Sequence, residues 1–225
     1  IRRNLDINIV MFNNRIYGLT KGQYSPTSEL GKVTRSTPMG SLDRPFNPLA
    51  LALGSGATFV CRTIDIETKH MQAIITRSYS HKGTAFIEIY QNCNIFNDGA
   101  FAPMTDKESK ADKVLWLENG QPMLFGAKQN KGIRLDGNKP IVVTIGKKWS
   151  VDDLLVHDEG DYVIASLLSN MTHQDDFPDP IGVVYAIDAP IYEDLMLAQI
   201  NKAVKQKGAG SVQDLLDAGD TWIVE

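Results

Sequence analysis

Cysteine is scarce in this sequence: Cys61 and Cys93 are the only two among 225 residues. Two thiols cannot build a zinc centre or an iron–sulfur cubane by themselves, because each usually takes four ligands. Cysteine poverty without a secretory signal fits a reducing cytoplasm, although a Cys61–Cys93 disulfide stays formally open. Positive charge is not in excess either. Against 27 acidic residues stand 23 Lys and Arg, for a net charge of -4, which argues against a nucleic-acid-binding surface. No run approaches the ~18 apolar residues of a membrane span, and no basic, apolar and small-residue succession marks a signal peptide. Internal repeats are lacking too. What is there is a mildly acidic, 43% hydrophobic chain, long enough to bury the core of one large α/β domain or of one domain with an appendage.

The segments alternate in type. Residues 7–12 form a short, β-branched apolar run that predicts a buried strand. Residues 28–48, rich in Gly, Pro, Ser and Thr, show neither strand nor helix periodicity and predict a long loop, of a kind that often serves as a lid or binding segment. Residues 48–53 predict a short helix ended by Gly54-Ser55-Gly56, and residues 57–62 a buried strand. Met71, Ile74, Ile75 and Tyr79 recur at helical spacing, and residues 84–90 form the next strand. Strand, helix, strand, helix, strand in this order implies a parallel sheet with right-handed crossovers. Asn14 and Cys93 then both fall just past strand ends, on loops that can face a common site. Beyond Gly99 the pattern changes to short strands over 114–117 and 140–145, a helix over 152–171 broken at Gly160, a strand over 181–187 and a helix over 190–205. The predicted division is therefore 1–99 as the cofactor-binding part and 100–225 as a C-terminal extension packing on the core and a partner.

The most informative stretch follows the first strand: Phe12-Asn13-Asn14-Arg15-Ile16-Tyr17-Gly18-Leu19-Thr20-Lys21-Gly22-Gln23. Two amides, a Gly and a Thr at the carboxyl end of a strand suit a hard cation and the phosphates it bridges, because open α/β sheets collect ligands there and Mg2+ prefers oxygen ligands. Taken alone, the Asn-Asn pair reads more readily as a turn. The longer string, with Ser25-Pro26-Thr27, His81-Lys82-Gly83, the strand Phe86-Ile87-Glu88-Ile89 and Gln91-Asn92-Cys93-Asn94, resembles the β subunits of 2-oxoacid:ferredoxin oxidoreductases. The resemblance is close over roughly the first half and looser, toward the 2-oxoglutarate type, in the tail. That family's Gly-Asp-Gly half-motif, its Cys-x-x-Cys and its further cluster Cys do not occur here, so the chain is expected to be the C-terminal portion of such a subunit.

What the resemblance implies is a three-layer α/β/α thiamine diphosphate-binding fold with a mostly parallel sheet and a C-terminal appendage. It implies oxidative decarboxylation of 2-oxoglutarate, or pyruvate, with coenzyme A, electrons passing through a [4Fe–4S] cluster to ferredoxin. The implied partner is an α subunit in a dimer of heterodimers, located in the cytoplasm, with no nucleic acid and no membrane. Asn14 would bind Mg2+ through its side chain and Ile16 through its carbonyl; Gly18 and Leu19 would touch thiamine diphosphate; Lys21 would meet the substrate's distal carboxylate; Cys93 would ligate the cluster. The alternatives are a non-oxidative thiamine diphosphate decarboxylase or carboligase, or a non-catalytic fragment of such a subunit. Cys61, inside an apolar strand, carries no assigned function, and His81 reads as a structural hydrogen-bonder. His157 with Asp158, Glu159 and Asp161, and His173 with Asp175 and Asp176, have metal-ligating types but no recognised spacing, and read as solvated acidic helix ends or loops.

Overall fold

The computed structural model describes every residue except His173, Asp175, Ile223 and Glu225, so the expectation placed on His173 and Asp175 lies outside the described residues. The first half runs β1 (Asn8–Asn13), α1 (Pro48–Gly54), β2 (Phe59–Ile64), α2 (Thr68–Ser80) and β3 (Ala85–Tyr90). There follow α3 (Ala102–Thr105), α4 (Lys110–Lys113), β4 (Val114–Trp116), β5 (Leu124–Phe125), β6 (Lys131–Asp136) and β7 (Lys139–Thr144). The chain ends with α5 (Tyr162–Met171), β8 (Asp179–Ala186), α6 (Tyr192–Lys207) and α7 (Val212–Leu216).

The main sheet has the order β1-β3-β2-β8-β4, and β5, β6 and β7 form a small second sheet. β1, β3 and β2 pair in parallel, as do β8 and β4, whereas β2 and β8 pair antiparallel. Strand alternation sorts the side chains into layers. Val60, Phe86 and Val184 meet Leu49 and Leu53 of α1 and Leu168 and Met171 of α5 on one face. Phe59, Cys61, Ile87 and Ile89 meet Ile74 of α2 on the other. Every residue of β2 and β3 is buried, as strands covered on both faces must be. This is the three-layer α/β/α arrangement with a mostly parallel sheet. Residues beyond 100 supply two of its five strands and the helix α5.

Local chemistry fixes the first helix. Asn47 caps α1 by accepting from the Ala50 N–H at 3.1 Å, Pro48 opens it, and the Asn47 amide donates to the Ser169 carbonyl of α5 at 2.7 Å. The helix expected over 152–171 does not form as one element. Residues 151–153 make a single 3-10 turn, residues 155–157 hydrogen-bond back to residues 121–123, and a helix begins only where Asp161 caps α5 by accepting from the N–H groups of Val163 and Ile164. His157 is consequently buried rather than solvated, with Nε2 2.8 Å from the Val183 carbonyl.

Candidate functional site

Asn13 ends β1 and Asn14 follows it, at the carboxyl edge of the parallel strands. The Asn14 Oδ1 accepts from the Ile16 N–H at a loose 3.3 Å, and among the described residues no backbone or side-chain donor reaches the Ile16 carbonyl. An amide oxygen and a free carbonyl two residues apart are ligands of the kind Mg2+ takes. Both residues border a cleft of about 510 Å³ whose walls include Met11, Phe12, Tyr17 and Phe46. An apolar cleft with a few oxygens at one end suits a cofactor that combines rings with a phosphate tail. The residues present therefore fit a magnesium-held thiamine diphosphate.

Buried polar groups surround this loop. Glu88 and Arg62 have side chains 1% and 0% exposed and form a pair at 2.7 Å. Burial alone lowers the Arg62 pKa, but the nearby Glu88, Tyr90 and Asp179 outweigh it and hold the guanidinium charged. Burial raises the Asp179 carboxyl, and Arg62 and Arg15 offset part of that rise. The second Glu88 oxygen accepts from Asn13 Nδ2 at 2.7 Å, while Asn13 Oδ1 accepts from the Thr27 hydroxyl at 2.7 Å and from the Arg15 N–H at 3.2 Å. Ser28 Oγ donates to the Arg15 carbonyl at 2.5 Å. Arg15 has φ +54°, the left-handed region, which costs about 1 kcal/mol for a residue with a Cβ. Its guanidinium lies 4.4 Å over Phe101, which stacks on Tyr90, itself covered at 4.8 Å by Arg62. Ser28, directly after the Ser-Pro-Thr segment, and Phe101 thus pin a strained residue between the two expected cation ligands.

Cys93 is half-buried and free. Its carbonyl accepts from the Asn97 N–H at 2.9 Å, and the Asn97 side chain donates to the carbonyls of Asn14 and Arg15 at 3.0 and 3.3 Å. The Cys93 turn is therefore tied directly to the Asn14 loop. Cys61 is fully buried in the core between the sheet and α2, and burial pushes its thiol far up, so it stands as a core residue. Among the described residues no group of three or more His, Cys, Asp or Glu could hold a metal. This chain offers a cluster one thiolate and does not fit a [4Fe–4S] centre by itself.

The other predicted residues separate. Lys21 lies with Arg35, Ile95 and Phe96 on a second cleft, beside the Cys93 turn and apart from the one bordered by Asn14. Leu19 stands 99% exposed. A Cβ on Gly18 would meet Phe96 at an ordinary 3.8 Å, so no steric need for glycine arises there. The required glycine is Gly22, with φ +99° and Phe96 only 3.3 Å from a would-be Cβ. His81 serves as the structural partner expected, 2.8 Å from the Thr58 hydroxyl. Sequence reading missed Asn97, Arg62 and Glu88. Only the mid-strand charges in otherwise apolar β2 and β3 could have signalled the last two.

Fold and loop together resemble a thiamine diphosphate-binding unit, and residues 1–89 match the family described as thiamine pyrophosphate enzyme, C-terminal TPP binding domain. The chain is 42% identical, over its entire length, to the 2-oxoglutarate oxidoreductase subunit KorB of Mycobacterium tuberculosis, of which it covers 61%. Over 97 residues, 43% of this chain and 32% of the relative, it is 46% identical to the 2-oxoacid:ferredoxin oxidoreductase subunit beta of Saccharolobus solfataricus. A solved 2-oxoglutarate:ferredoxin oxidoreductase from Magnetococcus marinus, with 2-oxoglutarate, coenzyme A and succinyl-CoA bound, superposes with a TM-score of 0.67 at 25% identity, covering 98% of this chain and 60% of that one. The chain is thus similar to the β subunits of 2-oxoacid:ferredoxin oxidoreductases, and it spans about three fifths of the length of the Mycobacterium tuberculosis and Magnetococcus marinus chains that it matches.

Proposed function

We propose that this chain forms the cofactor-holding part of the β subunit of a thiamine diphosphate-dependent 2-oxoglutarate:ferredoxin oxidoreductase. The observation that carries the reading is the Asn14 amide oxygen and the free Ile16 carbonyl at one end of an apolar cleft, in a chain whose relatives bear that name. When bound, thiamine diphosphate supplies the carbanion and radical chemistry of oxidative decarboxylation. The protein binds and orients: Asn14 and Ile16 hold Mg2+, and Gly18 and Leu19 lie on the cofactor's path. The exposed Lys21 and its neighbour Arg35 draw in an anionic 2-oxoacid, with Lys21 reading the distal carboxylate. Cys93 supplies one cluster thiolate, the others coming from outside this chain, and electrons leave for ferredoxin. Coenzyme A takes the acyl group. The α subunit completes the site, and the uncovered apolar residues of α6 and α7, among them Leu195 and Leu215, suit the partner surface expected of residues 100–225. Among the described residues no helix is long and apolar enough to cross a membrane.

The test is titration of thiamine diphosphate and Mg2+ against the isolated chain and against the full-length subunit assembled with its α partner, followed by iron analysis and ferredoxin reduction with 2-oxoglutarate and coenzyme A. Saturable binding, an iron-dependent visible absorbance and 2-oxoglutarate-dependent reduction in the assembly are expected. Binding without iron or ferredoxin reduction would make it a non-oxidative decarboxylase or carboligase, and no binding in either form would leave a non-catalytic fragment.

A further inference from the structure

Glu88 sits in the middle of β3, yet each of its two oxygens has a single partner: Arg62 Nε on one side and Asn13 Nδ2 on the other, both at 2.7 Å. A guanidinium only donates, and an ionised carboxylate only accepts. The Asn13 side chain must therefore turn its NH2 toward Glu88. Its oxygen is thereby turned toward Thr27 and toward the N–H of left-handed Arg15, 3.2 Å away. Reversing that amide would set NH2 against the Arg15 N–H, donor against donor. The bonds thus converge on Glu88: Arg62 donates to it from one side, and on the other the N–H of Arg15, between Asn14 and Ile16, donates to Asn13, whose NH2 donates to Glu88. Well-packed apolar residues often replace a buried ion pair without loss of stability. They cannot specify which way an amide faces.

We propose that Glu88 is a positioning residue: its charge, fixed by Arg62, sets the orientation of the Asn13 amide and so holds the Asn14 loop in its cation-binding shape. The inference rests on the functional reading above. It assigns to Glu88 no contact with cofactor or substrate.

The test uses the full-length subunit assembled with its α partner. Thiamine diphosphate affinity is measured by calorimetry at fixed Mg2+, beside the thermal midpoint of the cofactor-free complex. In Glu88→Gln the amide oxygen must face Arg62, so the new NH2 meets the NH2 of Asn13. Affinity should fall roughly tenfold to a hundredfold. In the double variant N13D/E88Q the new carboxylate at position 13 accepts from that NH2, from the Arg15 N–H and from Thr27, so every donor is matched again. Affinity should return to within about threefold of the parent. An unchanged affinity in Glu88→Gln overturns the proposal, as does a double variant that recovers the thermal midpoint but not the affinity. If Glu88→Gln folds poorly, the double variant alone decides: recovery of both quantities supports the proposal, and recovery of neither overturns it. A parent complex that binds no thiamine diphosphate overturns the functional reading itself, and with it this inference.

Discussion

Asn14 offers a cation one amide oxygen on a loop whose shape is set by its neighbours, so its removal should act locally. Asn14→Leu is expected to raise the thiamine diphosphate requirement of the assembled enzyme by at least about tenfold with little change in thermal midpoint; calorimetric titration of the variant checks this, and unchanged affinity refutes the ligand role. Lys21→Ala should lower kcat/KM for 2-oxoglutarate by roughly one to two orders of magnitude and for pyruvate much less. Equal losses on the two substrates would mean that Lys21 steers anions without reading the distal carboxylate. His157 gives a pH dependence. Burial depresses its pKa below the ordinary 6.5, partly opposed by the Val183 carbonyl, and its Nδ1 has no partner. The unfolded chain thus binds the proton more readily, so this contribution is fully present above the unfolded value and is lost as pH falls toward the folded one. Thermal midpoints should drop between about pH 7 and pH 5, and His157→Gln, whose amide can still donate to Val183, should flatten that drop. At this scale the sequence showed Asn14, whose chemistry is local. It hid Arg62, Glu88 and Asn97, whose side chains bond to partners 26 to 118 residues away.

Elements that bury both faces were the most legible. β2 and β3 read as apolar runs despite Arg62 and Glu88 within them, and α2 as an i, i+3, i+4 stripe, and each lies within two or three residues of its expected bounds. β6 escaped notice because Lys131 and Gly132 interrupt its pattern, and its order comes from pairing along the whole of β7. The helix expected through residue 157 failed for a similar reason: tertiary hydrogen bonds to residues 121–123 outcompete local propensity. The antiparallel β2–β8 pair was not foreseen either, since pairing direction leaves no trace in apolar content. Gly182 shows how tightly β8 is held. At φ +135°, a Cβ there would lie 2.9 Å from both the Cβ and the carbonyl oxygen of Leu117. Gly182→Ala should therefore cost about 1–3 kcal/mol, read as a lowered denaturant midpoint at unchanged slope.

At the scale of the whole molecule, stability is concentrated in the three packed layers. Of the described residues beyond Lys207, all are exposed, so a chain ended at Lys207 should lose less than about 2 °C in thermal midpoint; calorimetry of the two forms side by side checks it, and a larger fall would show that the tail packs on the body. The opposite border of the sheet has a different character. β1 pairs with β3 along one side only, and Val10 and Phe12 are 42% and 59% exposed. Such a border is a template: its unpaired backbone groups accept any extended segment in register, and it carries no lysine or proline to discourage one. Handled by itself the chain is therefore adhesive along the same strand that ends in Asn13, so self-association and distortion of the cation loop would arise together, and conditions that keep the protein monomeric are also those that keep its site intact.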